Sequence, residues 1–80
     1  MLRIDMKATG KNIKQLAKDR NIQTAKLQKI LGFGTPQAIY KWYRGQSLPT
    51  VDNLVILADI FKVTIDDIII KESKKNEQFR

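Results

Sequence analysis

TAKLQKILGFGTPQAIYKWYRG, residues 24–45, is the stretch on which the rest of the chain depends. Leu27, Ile30 and Leu31 recur at helical spacing, which predicts a short helix from Gln23 or Thr24 to Leu31 with Lys26 and Lys29 off its buried face. Gly32 stands where a left-handed residue would end that helix. Phe33 fills the corner, and Gly34 offers a second permissive backbone position. Thr35-Pro36 reads as an N-cap followed by proline at the first helical position, where the missing N–H costs nothing. A second helix then runs from Pro36 to Arg44 and stops at Gly45. Ile39 and Trp42 point it inward, with Ala38 partly buried. Gln37, Tyr40, Lys41, Tyr43 and Arg44 are left as an outward face of two phenols, an amide and two cations, with no acid.

The flanks supply what holds this pair. In residues 1–8, MLRIDMKA, the alternation of Leu2, Ile4 and Met6 is too short to choose between a strand and an arm. Thr9 offers a hydroxyl as N-cap for a helix to about Arg20. Its stripe is Ile13, Leu16 and Ala17, with Lys11, Lys14, Lys18 and Arg20 around it. Asn21 stops the helix and Ile22 turns back into the core. After Gly45, Gln46-Ser47-Leu48-Pro49 makes an irregular crossing with Leu48 inserted in the core. Thr50 caps a fourth helix with Asp52 in its first turn, where the helix dipole favours an anion. Val51, Leu54, Val55, Leu57, Ala58 and Phe61 make it the most apolar helix and predict a central position; Lys62-Val63 closes it. Thr64 caps a short fifth helix with Asp66 and Asp67 in its first turn, and the run Ile68-Ile69-Ile70 reads alternatively as a strand. The expected organisation is an arm (1–8), one all-α domain built as a compact five-helix bundle (9–70) and a charged tail (71–80).

Eighty residues make one domain with a thin core, to which dimerisation would add burial. The absence of both Cys and His removes disulfides, thiol nucleophiles, imidazole bases and most zinc sites, so no catalytic residue, metal or cofactor is expected. Asp52, Asp59, Asp66 and Asp67 read as caps and solvated faces. The chain is not expected to be an enzyme. No apolar run reaches the ~18 residues of a membrane span and no signal segment is visible, so a cytoplasmic protein without a membrane partner is expected. The net charge of +7 is unevenly placed. Residues 1–49 hold ten Lys/Arg against two acids, whereas residues 50–70 hold one Lys against four Asp. One face is therefore suited to a polyanion, nucleic acid before an anionic membrane or an acidic partner, and another face to a different task.

Two short helices joined by a tight glycine-bearing turn form the helix-turn-helix, whose second helix can enter a DNA major groove. The segments Gly10-Lys-Asn-Ile-Lys-Gln-Leu16, Leu27, Gly32, Ala38-Ile-Tyr-Lys-Trp42 and Gly45-Gln-Ser-Leu-Pro49 resemble the Cro/repressor class of helix-turn-helix regulators, the xenobiotic-response-element class. Asn53-Leu54, Leu57-Ala58, Phe61, Val63 and Asp66-Asp67-Ile68 continue the likeness over residues 10–70. It is similar to the small stand-alone members common in Gram-positive bacteria. The resemblance implies a lambda repressor-like bundle that binds double-stranded operator DNA as a homodimer, most readily as a repressor of transcription. Carried over by position, it implies base-facing places at Pro36, Gln37, Ala38 and Lys41. It implies backbone contacts at Thr24 and at Arg44, Gln46 and Ser47. Three departures stand out. The corner between Leu27 and Ile39 is one residue longer than the usual pattern, so Gly34-Thr35 shifts the recognition helix; Gln28 replaces a small alanine; and Tyr43 replaces an acid.

The chemistry of these side chains agrees with that use. Gln37 can pair bidentately with adenine, Lys41 can donate to guanine O6 and N7, and Ala38 or the Thr35 methyl can meet a thymine methyl. Lys26, Lys29, Lys41 and Arg44 gain from counterion release at phosphates, with Lys11 and Lys14 as further candidates. Tyr40 can touch a sugar-phosphate or a base edge, and Tyr43 is either part of the core or a phosphate contact. Ile68, Ile69 and Ile70, with Ile65 and Val63, offer an isologous dimer contact that would place two recognition helices about 34 Å apart. The competing reading is a protein-interaction module, such as the antitoxin partner of a toxin. Only residues 1–8 and 71–80 are spare for it, and no small-molecule substrate is expected.

Overall fold

Side-chain caps start the first and last helices, and left-handed backbone positions end the first four. The computed structural model describes residues 3–72, and among these it places five α-helices: α1 (Met6–Asp19), α2 (Thr24–Leu31), α3 (Gln37–Tyr43), α4 (Val51–Phe61) and α5 (Ile65–Ile68). The protein is all-α; its only bridge of β type among the described residues is an isolated antiparallel pair, Ile4 with Lys71. Asn21, Gly32, Gly45 and Lys62 take positive φ and turn the chain out of α1, α2, α3 and α4 in turn. α5 is held by a capping box, in which the Thr64 hydroxyl accepts from the Asp67 N–H at 3.1 Å and the Asp67 carboxylate accepts from the Thr64 N–H at 3.0 Å.

The first helix starts earlier than Thr9. Asp5 is its N-cap and accepts from the Ala8 N–H at 3.0 Å, so residues 6–8 of the expected arm are helical. Thr9 is instead fully buried in α1, where its hydroxyl oxygen accepts from the Ile70 N–H at 2.9 Å. Asp5 N–H donates to the Ile70 carbonyl at 2.7 Å and Glu72 N–H to the Arg3 carbonyl at 2.8 Å. The physical reason is satisfaction of the backbone: after α5 the chain extends, and its N–H and C=O groups need partners that the start of α1 provides. The isoleucine run is thus divided, Ile68 helical and Ile69 extended, and residues 73–80 of the expected tail lie outside the described residues.

The core consists of Ile13 and Ala17 of α1, Leu27 of α2, Ile39 and Trp42 of α3, Leu57 and Phe61 of α4, and Ile68 of α5. Leu16, Ile22, Leu31, Phe33, Leu54 and Val63 pack around it. Arg20 closes one end, donating to the Phe61 carbonyl and lying over the Phe61 ring, so this cation is engaged within the fold. Four apolar side chains depart from the expected pattern. Ile30 is 42 % exposed, and Val51 and Val55 are 74 % and 54 % exposed on one side of α4. A helix lying on the periphery buries only a narrow stripe, and Leu54, Leu57, Ala58 and Phe61 fill it on α4. Ile68 departs the other way. It is fully buried within this one chain and so is unavailable to a second copy, unlike Ile65, Ile69 and Ile70, which are half-buried.

Candidate nucleic-acid interface

The angle of α3 is set from beneath. Gly10 brings α1 against the last turn of α3 so closely that a β-carbon there would lie 2.0 Å from the Trp42 carbonyl oxygen. Gly45 is equally confined, since its β-carbon would lie 2.8 Å from the Lys7 Cα, and its φ of 75° is left-handed as well. Ile39 and Trp42 are buried below, and Phe33 meets Trp42 edge to face with ring centroids 5.8 Å apart. Such a contact contributes about 0.5–1.5 kcal/mol beyond area burial and locks the corner to the helix.

The corner between α2 and α3 has its own tie. Gly32 takes φ 75°, the Phe33 N–H donates to the Gln28 carbonyl at 3.0 Å, and the Gln28 amide reaches forward to donate to the Phe33 carbonyl at 3.2 Å. Gln28 therefore supplies a partner for the turn between α2 and α3. Gly34 is not in the left-handed region and has open space around it, so the corner does not demand glycine there. α3 begins one residue later than expected, with Pro36 in the capping place. The Pro36 carbonyl accepts from the Tyr40 N–H at 3.1 Å, and the Thr35 hydroxyl accepts from the Gln37 N–H at 3.4 Å.

The outward side of α3 carries Gln37, Tyr40 and Lys41, all exposed, with Thr35 exposed ahead of them and Pro36 and Ala38 half-buried. Positions 37, 40, 41 and 44 fall on one helical face (i, i+3, i+4, i+7), opposite Ile39 and Trp42. Arg44 donates through Nε and one terminal nitrogen to the Gln46 side-chain oxygen at 3.3 and 3.2 Å, which joins the helix end to the following loop; Ser47 is half-buried beside it. Tyr40 and Tyr43 pack edge to face at 6.4 Å. Tyr43 is half-buried, and that burial raises its phenol above the ordinary value; the Thr24 hydroxyl partly offsets the rise, and Tyr40 adds to it. The phenol stays neutral at physiological pH, so it does not repel a phosphate. The Lys14 ammonium lies 5.9 Å from the centre of the Tyr43 ring. Lys26 is exposed on α2, and Thr24 at its start is half-buried and lines the same cleft as Tyr43.

The structure thus brings Thr35, Pro36, Gln37, Ala38, Tyr40, Lys41, Tyr43, Arg44, Gln46 and Ser47 onto α3 and its two ends, with Thr24 of α2 beside Tyr43 across the cleft and Lys26 exposed on α2. Sequence reasoning passed over two features: the Gln28 tie and the packing of Lys14 on Tyr43. The lysine at i+4 from Gly10 was the available signal for the second, because a close approach at one position brings the next turn near as well. Among the described residues, no helix is long and apolar enough to cross a membrane.

The comparisons with known proteins agree with this geometry. No curated protein sequence matches the chain. Among solved structures, the restriction-modification controller protein C.AhdI from Aeromonas hydrophila superposes with a TM-score of 0.70 at 17% identity, over 80% of this chain and 96% of that one. The DNA-binding domain of BldD superposes with a TM-score of 0.65 at 20% identity, over 80% and 92%. At these identities the likeness is one of fold. The sequence pattern of the helix-turn-helix family matches residues 10–68, most of the chain. The chain belongs to the helix-turn-helix family, in its Cro/C1-type branch of DNA-binding transcription regulators.

Proposed function

We propose that this protein binds a specific double-stranded DNA operator as a homodimer and represses transcription, with α3 in the major groove. The observation that carries the reading is the outward face of α3. Gln37, Tyr40 and Lys41 stand exposed without an acid among them, on a helix whose opposite side, Ile39 and Trp42, is fixed in the core. Gln37 in the first turn pairs with adenine and Lys41 one turn later with guanine, while Thr35, Pro36 and Ala38 make the close apolar contacts at the helix start. Thr24, Lys26, Tyr40, Tyr43, Arg44, Gln46 and Ser47 engage the sugar-phosphate backbone and set the register. The two copies meet through Ile65, Ile69 and Ile70, and the protein works in the cytoplasm.

Selection of bound duplexes from a random pool at moderate salt tests this. An enriched palindrome with half-sites one helical turn apart is expected. Gln37→Ala combined with Lys41→Ala is expected to erase the preference while helicity and melting temperature stay unchanged. Absence of any enriched sequence from the wild-type pool overturns the reading.

A further inference from the structure

A second group of cations lies outside the recognition segment. The cleft between α1, the start of α2 and the end of α3 is open, with a volume of about 400 Å³, and is lined by Lys14, Lys18, Gln23, Thr24 and Tyr43 over a floor that includes Ala17. No carboxylate lines it. Lys14 and Lys18 are exposed one turn apart, a like-charge pair that weakens an isolated helix, and an anion between them would relieve that repulsion. The Lys14 side chain is not left to roam. Gly10 draws α1 onto the Trp42 and Tyr43 carbonyls, and one turn further along the ammonium rests over the Tyr43 ring at 5.9 Å. A lysine gives up substantial rotamer entropy on binding, and a ring that already confines it reduces that loss.

We propose that Lys14 and Lys18 together seat one phosphodiester of the bound duplex in this cleft, and that Tyr43 is the positioning residue that holds Lys14 over it. The inference rests on the DNA-binding reading above. It extends the interface from α3 to α1, and it gives Tyr43 a role that its hydroxyl alone does not provide. Because Thr24 and Tyr43 border both the cleft and the recognition helix, the phosphate lies on the backbone flanking the groove that α3 enters. These contacts raise affinity for every sequence without choosing among them.

Binding of the selected duplex is measured across a range of salt for the wild type, Lys14→Ala, Lys18→Ala and the double variant. The double variant is expected to flatten the salt slope by about 0.9 and to weaken binding about eightfold at 0.1 M salt, each single substitution producing part of this loss, with sequence preference retained. Tyr43→Phe is expected to keep the effect of Lys14, since the ring remains. Tyr43→Leu is expected to make Lys14→Ala almost silent, its helicity being checked by circular dichroism. A duplex series with one methylphosphonate at a time is expected to contain one position whose neutralisation matches the double variant and adds nothing to it. Unchanged salt slopes in the double variant, or losses that add at every phosphate, overturn the proposal while leaving operator binding intact. Failure of the wild type to bind duplex DNA overturns both readings. Inorganic phosphate at constant ionic strength is expected to compete no better than chloride. Displacement through these lysines by millimolar phosphate would assign the cleft to a free anion and overturn the proposal.

Discussion

The α-carbon of Gly10 faces the Trp42 carbonyl so closely that one methyl group would stand 2.0 Å from the oxygen. Two effects oppose each other in Gly10→Ala. Helix propensity favours alanine by about 1 kcal/mol in the middle of α1. The clash is with backbone, which has no rotamer to yield, and overpacking of this kind costs about 1–3 kcal/mol or more. The clash is expected to win. The variant should melt at a lower temperature and lose operator affinity beyond what its stability loss explains, because α3 must tilt to make room. Thermal melts with DNA titrations below the transition check this.

Gly34 and Gly32 should answer the same substitution oppositely. Gly34→Ala meets open space and ordinary φ, so it is expected to be neutral or to stabilise by about 0.4–1 kcal/mol through the unfolded chain. Gly32→Ala places a β-carbon at φ 75° and is expected to destabilise by about 1 kcal/mol. Denaturant midpoints of the pair decide whether the corner is built as described.

Thr9→Val keeps shape and removes the oxygen that accepts from the Ile70 N–H. Leaving that donor unpaired in a buried place is expected to cost about 1–3 kcal/mol. Amide exchange should show Ile70 losing protection ahead of the α4 amides. Equal protection would mean that the tie between the two ends of the chain does not depend on this hydroxyl.

Lys26→Ala should weaken binding to all duplexes alike and reduce the salt slope by about 0.9, with the order of preferred sequences kept. A change in preference would move Lys26 from the backbone to the bases. Gel shifts on the selected operator and on scrambled DNA at three salt concentrations suffice.

Acid should loosen α5 through Asp67. Its carboxyl is held below the ordinary value by the Thr64 N–H and then by the Thr64 side chain. A group with a depressed folded value binds fewer protons folded than unfolded, so its contribution is present above the ordinary carboxylate range and is lost as pH falls through the folded value. Asp67→Ala is expected to melt lower than wild type at pH 7 and to approach it as pH falls below the ordinary carboxylate range. A constant gap across that range would show that the capping box does not depend on the charge.

How far the sequence reaches is clearest residue by residue. Gly32, Gly45, Thr50 and Thr64 mark helix ends through backbone chemistry that acts within a few residues, and the inward positions Ile39 and Trp42 follow from spacing alone. The exposed side of α3 follows from the same spacing, so Gln37, Tyr40 and Lys41 are legible as a candidate site without coordinates. Val51, Val55 and Ile30 were not legible as outward, nor Ile68 as wholly inward. Periodicity states which residues share a face; the width of the buried stripe depends on how deep neighbouring helices sit.

The chain by itself therefore determined five helices, the ends marked by Gly32, Gly45 and Thr64, and a cationic, acid-free outward face on α3, because those follow from local geometry and charge. Tertiary structure alone decided that Thr9 belongs to a long-range tie with Ile70 rather than to a cap, and that Gln28 closes the corner between α2 and α3. It also decided that Lys14 rests on Tyr43. Each of these joins elements whose approach is set by packing, and the spacing of 24–45 carries no record of the distance at which α1 lies beneath it.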